Sequence, residues 1–171
     1  NEEATATAVS TDTRRESPNS VFFALVGENF DAHGYLDKAV AQGATVIICQ
    51  HVPEGMNLTG AAVVVVPDTL LALQQFAAWY RRNLDIQVVG ITGSNGKTST
   101  KDFTNAILSS AFKVNATKGN LNNHIGLPLT VLDTEADHQV GIWEMGMNHP
   151  GEIAPLCQIA QPNIGIITNI G

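Results

Sequence analysis

The sequence predicts an α/β protein with two successive units, a small α/β domain and then a doubly wound domain built on a parallel sheet. Short apolar segments alternate with segments of helical periodicity along both halves of the chain. The second half opens with a buried strand, a glycine-rich turn and a helix, in that order. A helical segment separates the two series, and we expect the domain boundary near residues 83–85.

The first series predicts a domain over residues 1–84. Its expected strands lie at 21–26, 45–49 and 61–66, and a short helix lies at about 34–42. Asp68 can cap a further helix, because apolar residues recur behind it at helical spacing as far as Tyr80. This helix leads out of the first domain.

The second series predicts the first part of another domain, over residues 85–171. Its expected elements are strands at 86–92, 140–145 and 163–170 and helices at about 97–112 and 151–160. The sequence ends at Gly171, directly after a strand, where an open α/β sheet would ordinarily continue. We therefore expect the second domain to be truncated.

Composition and charge argue against several classes of function. The 171 residues are 44% hydrophobic, and a net charge of −7 leaves no basic stripe for nucleic acid or a membrane surface. No apolar run approaches the length of a membrane span, and the start has no signal-peptide pattern. We expect a cytoplasmic monomer without membrane insertion or nucleic-acid partners. Cys49 and Cys157 lie far apart in apolar segments, which favours free thiols.

The strongest motif is the glycine-rich turn Gly93-Ser94-Asn95-Gly96-Lys97-Thr98. Its glycines let successive N–H groups face one point, Lys97 adds a positive charge, and the following helix directs its dipole there. The longer phosphate-binding pattern has a further glycine where this chain has Ile91, so this is the shorter G-x-x-G-K-[ST] form. The segment from Gly93 to Ser99 predicts binding of a nucleoside triphosphate with Mg²⁺. The alternative is a turn with a surface lysine.

Glu144 is the residue expected to act with this turn. It ends the apolar run 140–143, and ligands of doubly wound sheets bind at the C-terminal ends of the strands. We expect Glu144 and the Thr98 hydroxyl to share the Mg²⁺ ion, and Lys97 and Glu144 to be the catalytic residues. Helix capping by Thr98 and a surface position for Glu144 are the alternatives.

Further polar residues of the second domain are candidates for substrate binding. Asn120, Asn122 and Asn123 lie in a glycine- and asparagine-rich loop, and His149 lies in a later loop. Turn chemistry explains the asparagines equally well, and a histidine before a proline is as easily structural. Both interpretations therefore stay open.

In the first domain the candidates for substrate binding are Asp12, Thr13 and Arg14, just before a predicted strand. Arginine binds phosphate through two parallel donors, and aspartate accepts hydrogen bonds from a base or a sugar. Asp31 and His33, which precede the short helix, are also considered. Solvated surface positions are the alternative for all of these residues.

Together these segments resemble the Mur ligases of bacterial peptidoglycan synthesis over nearly the whole chain. The resembling segments are Thr11-Asp-Thr-Arg14, Val21-Phe-Phe-Ala-Leu-Val-Gly27, Asp31-Ala-His33, Thr92-Gly-Ser-Asn-Gly-Lys-Thr-Ser-Thr-Lys-Asp102, Gly119-Asn-Leu-Asn-Asn-His-Ile-Gly-Leu-Pro128, Glu144-Met-Gly146, Asn148-His-Pro-Gly-Glu152 and Thr168-Asn-Ile-Gly171. Lys101-Asp102 and the Asn-Leu-Asn-Asn segment point, within the family, to members that add D-alanyl-D-alanine to UDP-N-acetylmuramoyl-tripeptide.

The resemblance implies an enzyme of three domains: one for the UDP end of the substrate, a central ATPase domain and a C-terminal domain for the incoming dipeptide. It also implies transfer of the γ-phosphoryl group of ATP to a peptide carboxylate, and attack of the dipeptide amine on the resulting acyl phosphate. The first domain would start late, and the family's carbamylated lysine and a later metal-binding histidine would lie beyond Gly171. We therefore expect this chain alone to be catalytically incomplete.

Other functions remain open at this point. The same reaction class includes tripeptide-forming Mur ligases and folylpolyglutamate synthetases, although the latter start directly with the ATPase domain. A P-loop kinase or GTPase would leave the first unit unexplained, and the chain has no Asn-Lys-x-Asp guanine motif. A non-catalytic module that binds a UDP-sugar is the fourth alternative.

Overall fold

The computed structural model describes residues 5–170; residues 1–4 and Gly171, the last residue of the resembling segment 168–171, lie outside it. The Cα positions divide the chain into two compact units, Asn1–Leu73 and Gln74–Gly171. The division falls inside the helix Thr69–Arg82, earlier than the boundary predicted near 83–85. The start of this helix is tied to the first unit, because the Thr69 hydroxyl donates to the Ala24 carbonyl at 2.8 Å, whereas Ala77 lies in the core of the second unit.

The first unit contains a parallel sheet. Its elements are β1 (Ala8–Ser10), β2 (Ser20–Phe23), β3 (Val26–Gly27), β4 (Phe30–Asp31), a 3₁₀ turn (Ala32–Tyr35), α1 (Leu36–Ala41), β5 (Ala44–Cys49), β6 (Ala62–Val65) and the start of α2 (Thr69–Arg82). Four strands form the sheet in the order β1-β2-β5-β6, and β3 pairs with β4 as an antiparallel hairpin. Phe22, Leu36 and Ile47 are fully or almost fully buried in its core.

The strands at the start of the first unit differ from the sequence prediction, and the helix predicted at 34–42 is a 3₁₀ turn followed by a helix over Leu36–Ala41. The predicted strand 21–26 ends at Phe23, because the chain bends there into the β3-β4 hairpin. The strand β1 was not predicted, since three residues are too few for an alternating pattern to be recognised. This extra strand brings the segment after it, which holds Asp12, Thr13 and Arg14, to the C-terminal end of the sheet.

The second unit is a doubly wound parallel sheet. Its elements after α2 are β7 (Gln87–Thr92), α3 (Lys97–Leu108), β8 (Val114–Ala116), α4 (Gly126–Leu132), β9 (Val140–Glu144), α5 (Ile153–Ala160) and β10 (Ile164–Ile167). The strands are all parallel, in the order β10-β7-β9-β8. The predicted α/β class with parallel sheets is confirmed. Among residues 5–170, no helix combines the length and apolar character needed to cross a membrane.

Successive residues of β7 and β9 point to opposite faces of this sheet, so each face has its own core. Val88 and Trp143 pack with residues of α4, α5 and the end of α2, whereas Val89 and Ile142 pack on the other face beside the end of α3. The elements β8 and α4 were not predicted, because β8 is short and α4 contains glycine and proline, which are poor helix formers.

The two cysteines are free thiols, as their spacing predicts. Cys49 is buried in the core of the first unit, and burial raises the pKa of its thiol. Cys157 packs at the edge of the second unit's core, where its Sγ lies 3.9 Å from Met145 Sδ. Both side chains therefore serve packing.

Candidate active site

The glycine-rich turn joins β7 directly to α3. Gly93 and Gly96 have φ angles of 138° and 81°, in the region that side chains rarely adopt, and Gly96 is the N-cap of α3. A Cβ at Gly93 would overlap the Thr168 hydroxyl and lie 2.9 Å from the backbone nitrogen of Asn169. The first N–H groups of a helix have no partners within it, so the turn places donors and the positive end of the α3 dipole together.

Lys97 reaches back across this turn, where its Nζ donates to the Gly93 carbonyl at 2.7 Å. Residues Thr168 and Asn169, which follow β10, also bond to the turn, and we call these contacts the Thr168–Asn169 brace. The Asn169 carbonyl and side-chain oxygens accept from the backbone and hydroxyl of Ser94, at 3.0 and 2.8 Å. The Thr168 hydroxyl donates to backbone carbonyls of Thr92 and Asn95. The turn is therefore held in shape from both sides.

We expect Gly93→Ala to weaken binding of ATP and ADP by the full-length protein by roughly ten- to a hundredfold, with the domain still folded. A side chain there would collide with the Thr168–Asn169 brace and strain the backbone by on the order of 1–3 kcal/mol. Isothermal titration with ADP measures the loss. Gly119→Ala is the matched control, because Gly119 has a φ of 55° but open space around it. Equal ADP affinities in all three proteins would contradict the requirement for glycine at residue 93.

Glu144 lies beside the turn because β7 and β9 are adjacent and parallel, with Ile91 in register with Glu144. Its side chain is only 2% exposed. One carboxylate oxygen accepts from the Thr98 hydroxyl at 3.0 Å, and the other accepts from the Asn122 amide at 2.8 Å. An isolated buried carboxylate would be strongly disfavoured, so these two donors are what allow the charge at this position.

The other second-unit candidates occupy two loops near the ends of the strands. Asn123 accepts through its Oδ1 from the backbone N–H groups of Ile125 and Gly126, which starts α4, and Asn120 is exposed. His149 is exposed, and its N–H and that of Asn148 donate to the Glu152 carboxylate, which lowers the pKa of Glu152. The structure thus brings Asn122 to Glu144 but gives Asn123 a turn contact.

Sequence reasoning assigned no site role to Lys101, Thr117, Thr168 or Asn169, although all four make hydrogen bonds within this region. The signal for Lys101 was a cationic residue one helical turn after Lys97, on the same face of α3. The two residues after β10 belong to the resembling segment 168–171, but no role could be assigned to them, because their contacts with the turn span more than 70 positions of sequence.

In the first unit, Asp12 and Arg14 form a two-pronged ion pair with bonds of 2.8 to 3.1 Å. Hydrogen bonds from the Arg14 side chain and backbone lower the Asp12 pKa to about 2, so the pair stays ionised throughout the neutral range. These residues and Thr13 line an open cleft of about 480 Å³. The cleft also exposes a stacked aromatic pair, Phe30 and Tyr35, with ring centroids 5.6 Å apart.

Asp31 and His33 have structural contacts. His33 is buried, and its Nε2 accepts from the backbone N–H of Gln50 at 2.8 Å, so its proton lies on Nδ1, 2.6 Å from Asp31. Asp31 also accepts from the His33 backbone N–H, and these two bonds lower the Asp31 pKa. The pair therefore fixes the 3₁₀ turn against the end of β5.

Comparison with known proteins supports the resemblance inferred from the sequence. Residues 91–171 match the family described as the Mur ligase middle domain. The chain is 46% identical over 164 residues to the UDP-N-acetylmuramoyl-tripeptide:D-alanyl-D-alanine ligase of Bacillus subtilis strain 168, a match covering 95% of this chain and 35% of that protein.

Solved structures give the same picture. A UDP-N-acetylmuramoylalanyl-D-glutamyl-2,6-diaminopimelate:D-alanyl-D-alanyl ligase from Acinetobacter baumannii superposes with a TM-score of 0.87 and 40% identity, over 97% of this chain and 36% of that one. A MurF ligase from Thermotoga maritima, solved in complex with ADP, gives 0.83 and 32% identity, over 96% and 38% of the two chains. The chain thus spans little more than a third of the relatives it matches, and the resemblance to the Mur ligases is confirmed.

Proposed function

We propose that the protein is an ATP-dependent amide ligase, because residues 91–171 belong to the Mur ligase middle domain family. The reaction is the addition of D-alanyl-D-alanine to UDP-N-acetylmuramoyl-tripeptide, as the names of the similar ligases state for those proteins. Since the chain spans only 35% of the B. subtilis ligase, the proposal concerns the full-length protein. A cytoplasmic location and a monomeric state stay predictions.

The observation that carries this proposal is the convergence of three groups at the C-terminal ends of β7 and β9. Lys97 Nζ lies across the glycine-rich turn, and the Thr98 hydroxyl lies 3.0 Å from the buried Glu144 carboxylate. A phosphate-binding turn with a cation and an adjacent acidic oxygen is the arrangement that phosphoryl transfer from ATP requires. The alternative, a surface turn with a lysine that binds nothing, does not account for a buried carboxylate next to the turn.

The residues present fit a Mg²⁺ ion. Mg²⁺ takes oxygen ligands in octahedral geometry, and two ligands at right angles with bonds near 2.1 Å lie about 3 Å apart. Thr98 Oγ1 and Glu144 Oε2 are oxygen donors at 3.0 Å, so both could bind one ion whose other ligands are water and phosphate oxygens. Bound there, the ion would neutralise charge on the transferring phosphoryl group.

In the first step of the proposed reaction, an oxygen of the tripeptide carboxylate attacks the γ-phosphorus of ATP. The bond to the β–γ bridging oxygen breaks, and ADP leaves. In the second step, the dipeptide amine attacks the carbonyl carbon, the bond to the phosphate oxygen breaks, and the amine loses a proton. Lys97 stabilises the negative charge that moves to the β-phosphate, and the turn holds ATP in line.

The first unit would bind the UDP end of the substrate in the 480 Å³ cleft. Arg14 offers donors to a diphosphate, Asp12 fixes the guanidinium through two oxygens, and the Phe30-Tyr35 stack offers an aromatic face to a base. Binding energy gathered at UDP can hold the distant carboxylate near ATP, because a tethered reactant avoids much of the entropy cost of encounter.

We expect Arg14→Ala to weaken binding of the UDP-muramoyl tripeptide by roughly tenfold, the effect of one charge-assisted hydrogen bond, and to leave ATP affinity unchanged. The loss stays moderate because the Arg14 side chain is 85% exposed. Titration of each ligand separately measures both affinities. Arg15→Ala is the matched control, since Arg15 is the exposed neighbour outside the cleft lining. Unchanged tripeptide affinity in Arg14→Ala would show that Arg14 is a solvated surface residue with no role in binding this substrate.

The acceptor substrates that trigger phosphate release distinguish this reaction from those of related ligases. We expect the full-length protein to release phosphate from ATP when UDP-N-acetylmuramoyl-tripeptide and D-alanyl-D-alanine are both present. A tripeptide-forming ligase would instead respond to UDP-N-acetylmuramoyl-dipeptide with a single amino acid, and a folylpolyglutamate synthetase to a folate with glutamate. Binding of the UDP compound with no phosphate release under any of these conditions would indicate a UDP-sugar-binding module.

A further inference from the structure

Lys101 is a buried lysine that the proposed reaction does not use. It lies on α3, one turn after Lys97, and is only 7% exposed. An ammonium group out of water is strongly disfavoured unless it is bonded, and lysine is among the residues that are rarely fully buried. Its Nζ donates to the Thr117 carbonyl at 3.0 Å and lies 3.1 Å from the Asp102 carboxylate. The position is thus built around this contact with Thr117.

Thr117 in turn is bonded to the end of β9. Its backbone N–H donates to the Ile142 carbonyl at 3.0 Å, and its hydroxyl accepts from the Glu144 N–H at 2.9 Å. Thr117 is almost completely buried, so these bonds are shielded from water. A continuous path of hydrogen bonds therefore runs from Lys101 on α3, through Thr117, to the backbone of Glu144.

We propose that Lys101 is a positioning residue, which holds Glu144 at a fixed distance from the phosphate-binding helix. The inference rests on the proposed function, because Glu144 matters only as a partner of Thr98 at the nucleotide. It adds to that function a residue that touches neither nucleotide nor substrate. Lys101 would act through Thr117, on the backbone that carries the Glu144 carboxylate.

The Lys101–Thr117 contact is needed as a second link between α3 and β9, because the direct link through Thr98 is lost when Mg²⁺ binds. The direct link between α3 and the Glu144 side chain is the Thr98 hydroxyl bond. That bond must give way if both oxygens turn to an ion, because the hydroxyl then directs a lone pair toward the ion and no longer aims its proton at the carboxylate oxygen beside it. The Lys101–Thr117 contact involves neither of those oxygens. The Lys101–Thr117 contact would keep α3 and the end of β9 at a fixed distance while the Thr98–Glu144 bond is replaced by bonds to the ion.

The test is the effect of Mg²⁺ on binding of a non-hydrolysable ATP analogue to the full-length protein. Lys101→Met keeps the length of the side chain and removes its charge and donors. We expect it to reduce the Mg²⁺-dependent gain in affinity by roughly tenfold, while affinity without Mg²⁺ stays within about twofold of wild type. Thr117→Val breaks the next link in the path, and we expect the same selective loss, so the inference does not depend on one variant folding well.

Two controls separate the possible causes. Lys118→Met removes an exposed lysine paired with Asp133, and we expect it to behave as wild type. Glu144→Gln should lose the Mg²⁺-dependent gain, and adding Lys101→Met to it should cause no further loss, since both act on one unit. A Lys101→Met protein with a lower melting temperature but an unchanged gain would overturn the positioning role. A gain that persists in Glu144→Gln would overturn the metal assignment itself.

Discussion

Lys97→Ala in the full-length protein should lower the rate of ATP turnover by on the order of a thousandfold, the upper range for removal of one group that stabilises transition-state charge. The physical reason is the position of the Nζ, which crosses the turn to the Gly93 carbonyl and is the cation supplied by the turn itself. Without it, negative charge that moves toward ADP has no fixed partner at this point. Steady-state phosphate release with ATP, the tripeptide and the dipeptide all saturating gives the comparison.

The Lys97 side chain is partly exposed and, among residues 5–170, makes one hydrogen bond, to a backbone carbonyl, so its removal should leave the fold intact. The melting temperature checks this directly. Lys118→Ala is the matched control for a nearby lysine, because Lys118 is exposed and paired with Asp133. Turnover within about fivefold of wild type, in a Lys97→Ala protein that binds all three substrates, would rule out the assignment of the turn as a catalytic phosphate site.

The backbone of the site could be predicted from the sequence because its determinants are local or periodic. Apolar runs gave the strands β7 and β9, and the glycines with Lys97 gave the turn between β7 and α3. The position of Glu144 followed from a general property of parallel sheets, whose strand ends meet at one edge. The structure places it beside Thr98, although no local pattern joins residues 46 positions apart.

What could not be predicted depends on which side chains meet after folding. Asn122 was expected to bind substrate, and in the structure its amide donates to Glu144, because the turn before α4 brings it to the end of β9. The brace from Thr168 and Asn169 depends on β10 pairing with β7 in one register. Lys101 was noted only as part of a segment that resembles one group of Mur ligases, and its burial comes from the packing of α3 on the sheet.

The domain boundary also depends on contacts that form only after folding, so the sequence could not predict it. Periodicity correctly predicted one continuous helix after Asp68, and the end of that helix was the natural place to divide the chain. The contacts divide it earlier, because Thr69 bonds to Ala24 while Tyr80 donates to the Thr134 carbonyl in the other unit. One helix thus bonds to the first unit at its start and packs into the core of the second unit further along, and no pattern within the helix reveals this. The roles of the two units, in binding UDP and ATP, stay proposals.

Glu144→Gln should lower turnover by roughly a hundred- to a thousandfold and remove most of its dependence on Mg²⁺ concentration. Glutamine keeps the shape of the side chain and a carbonyl oxygen that can accept from Thr98 or Asn122, so the buried position is filled. It lacks the negative charge that an ion between phosphate oxygens and protein requires. The loss should therefore fall on turnover and Mg²⁺ affinity, and much less on stability.

If Glu144 only stabilised the fold, Glu144→Gln would lower stability and leave turnover and Mg²⁺ affinity unchanged. The variant therefore distinguishes the two roles. Replacing a buried charge by an amide that keeps one of its two hydrogen bonds would then lower the melting temperature and leave the Mg²⁺ dependence of phosphate release unchanged. Glu135→Gln is the matched control, because Glu135 is an exposed carboxylate of the same unit, paired with Lys113. We expect it to retain both turnover and Mg²⁺ dependence, since in the described part of the chain its side chain bonds to Lys113 and not to the turn. If Glu144→Gln and Glu135→Gln titrate with Mg²⁺ alike, Glu144 is not the partner of Thr98 at a metal, and its burial beside the turn serves packing alone.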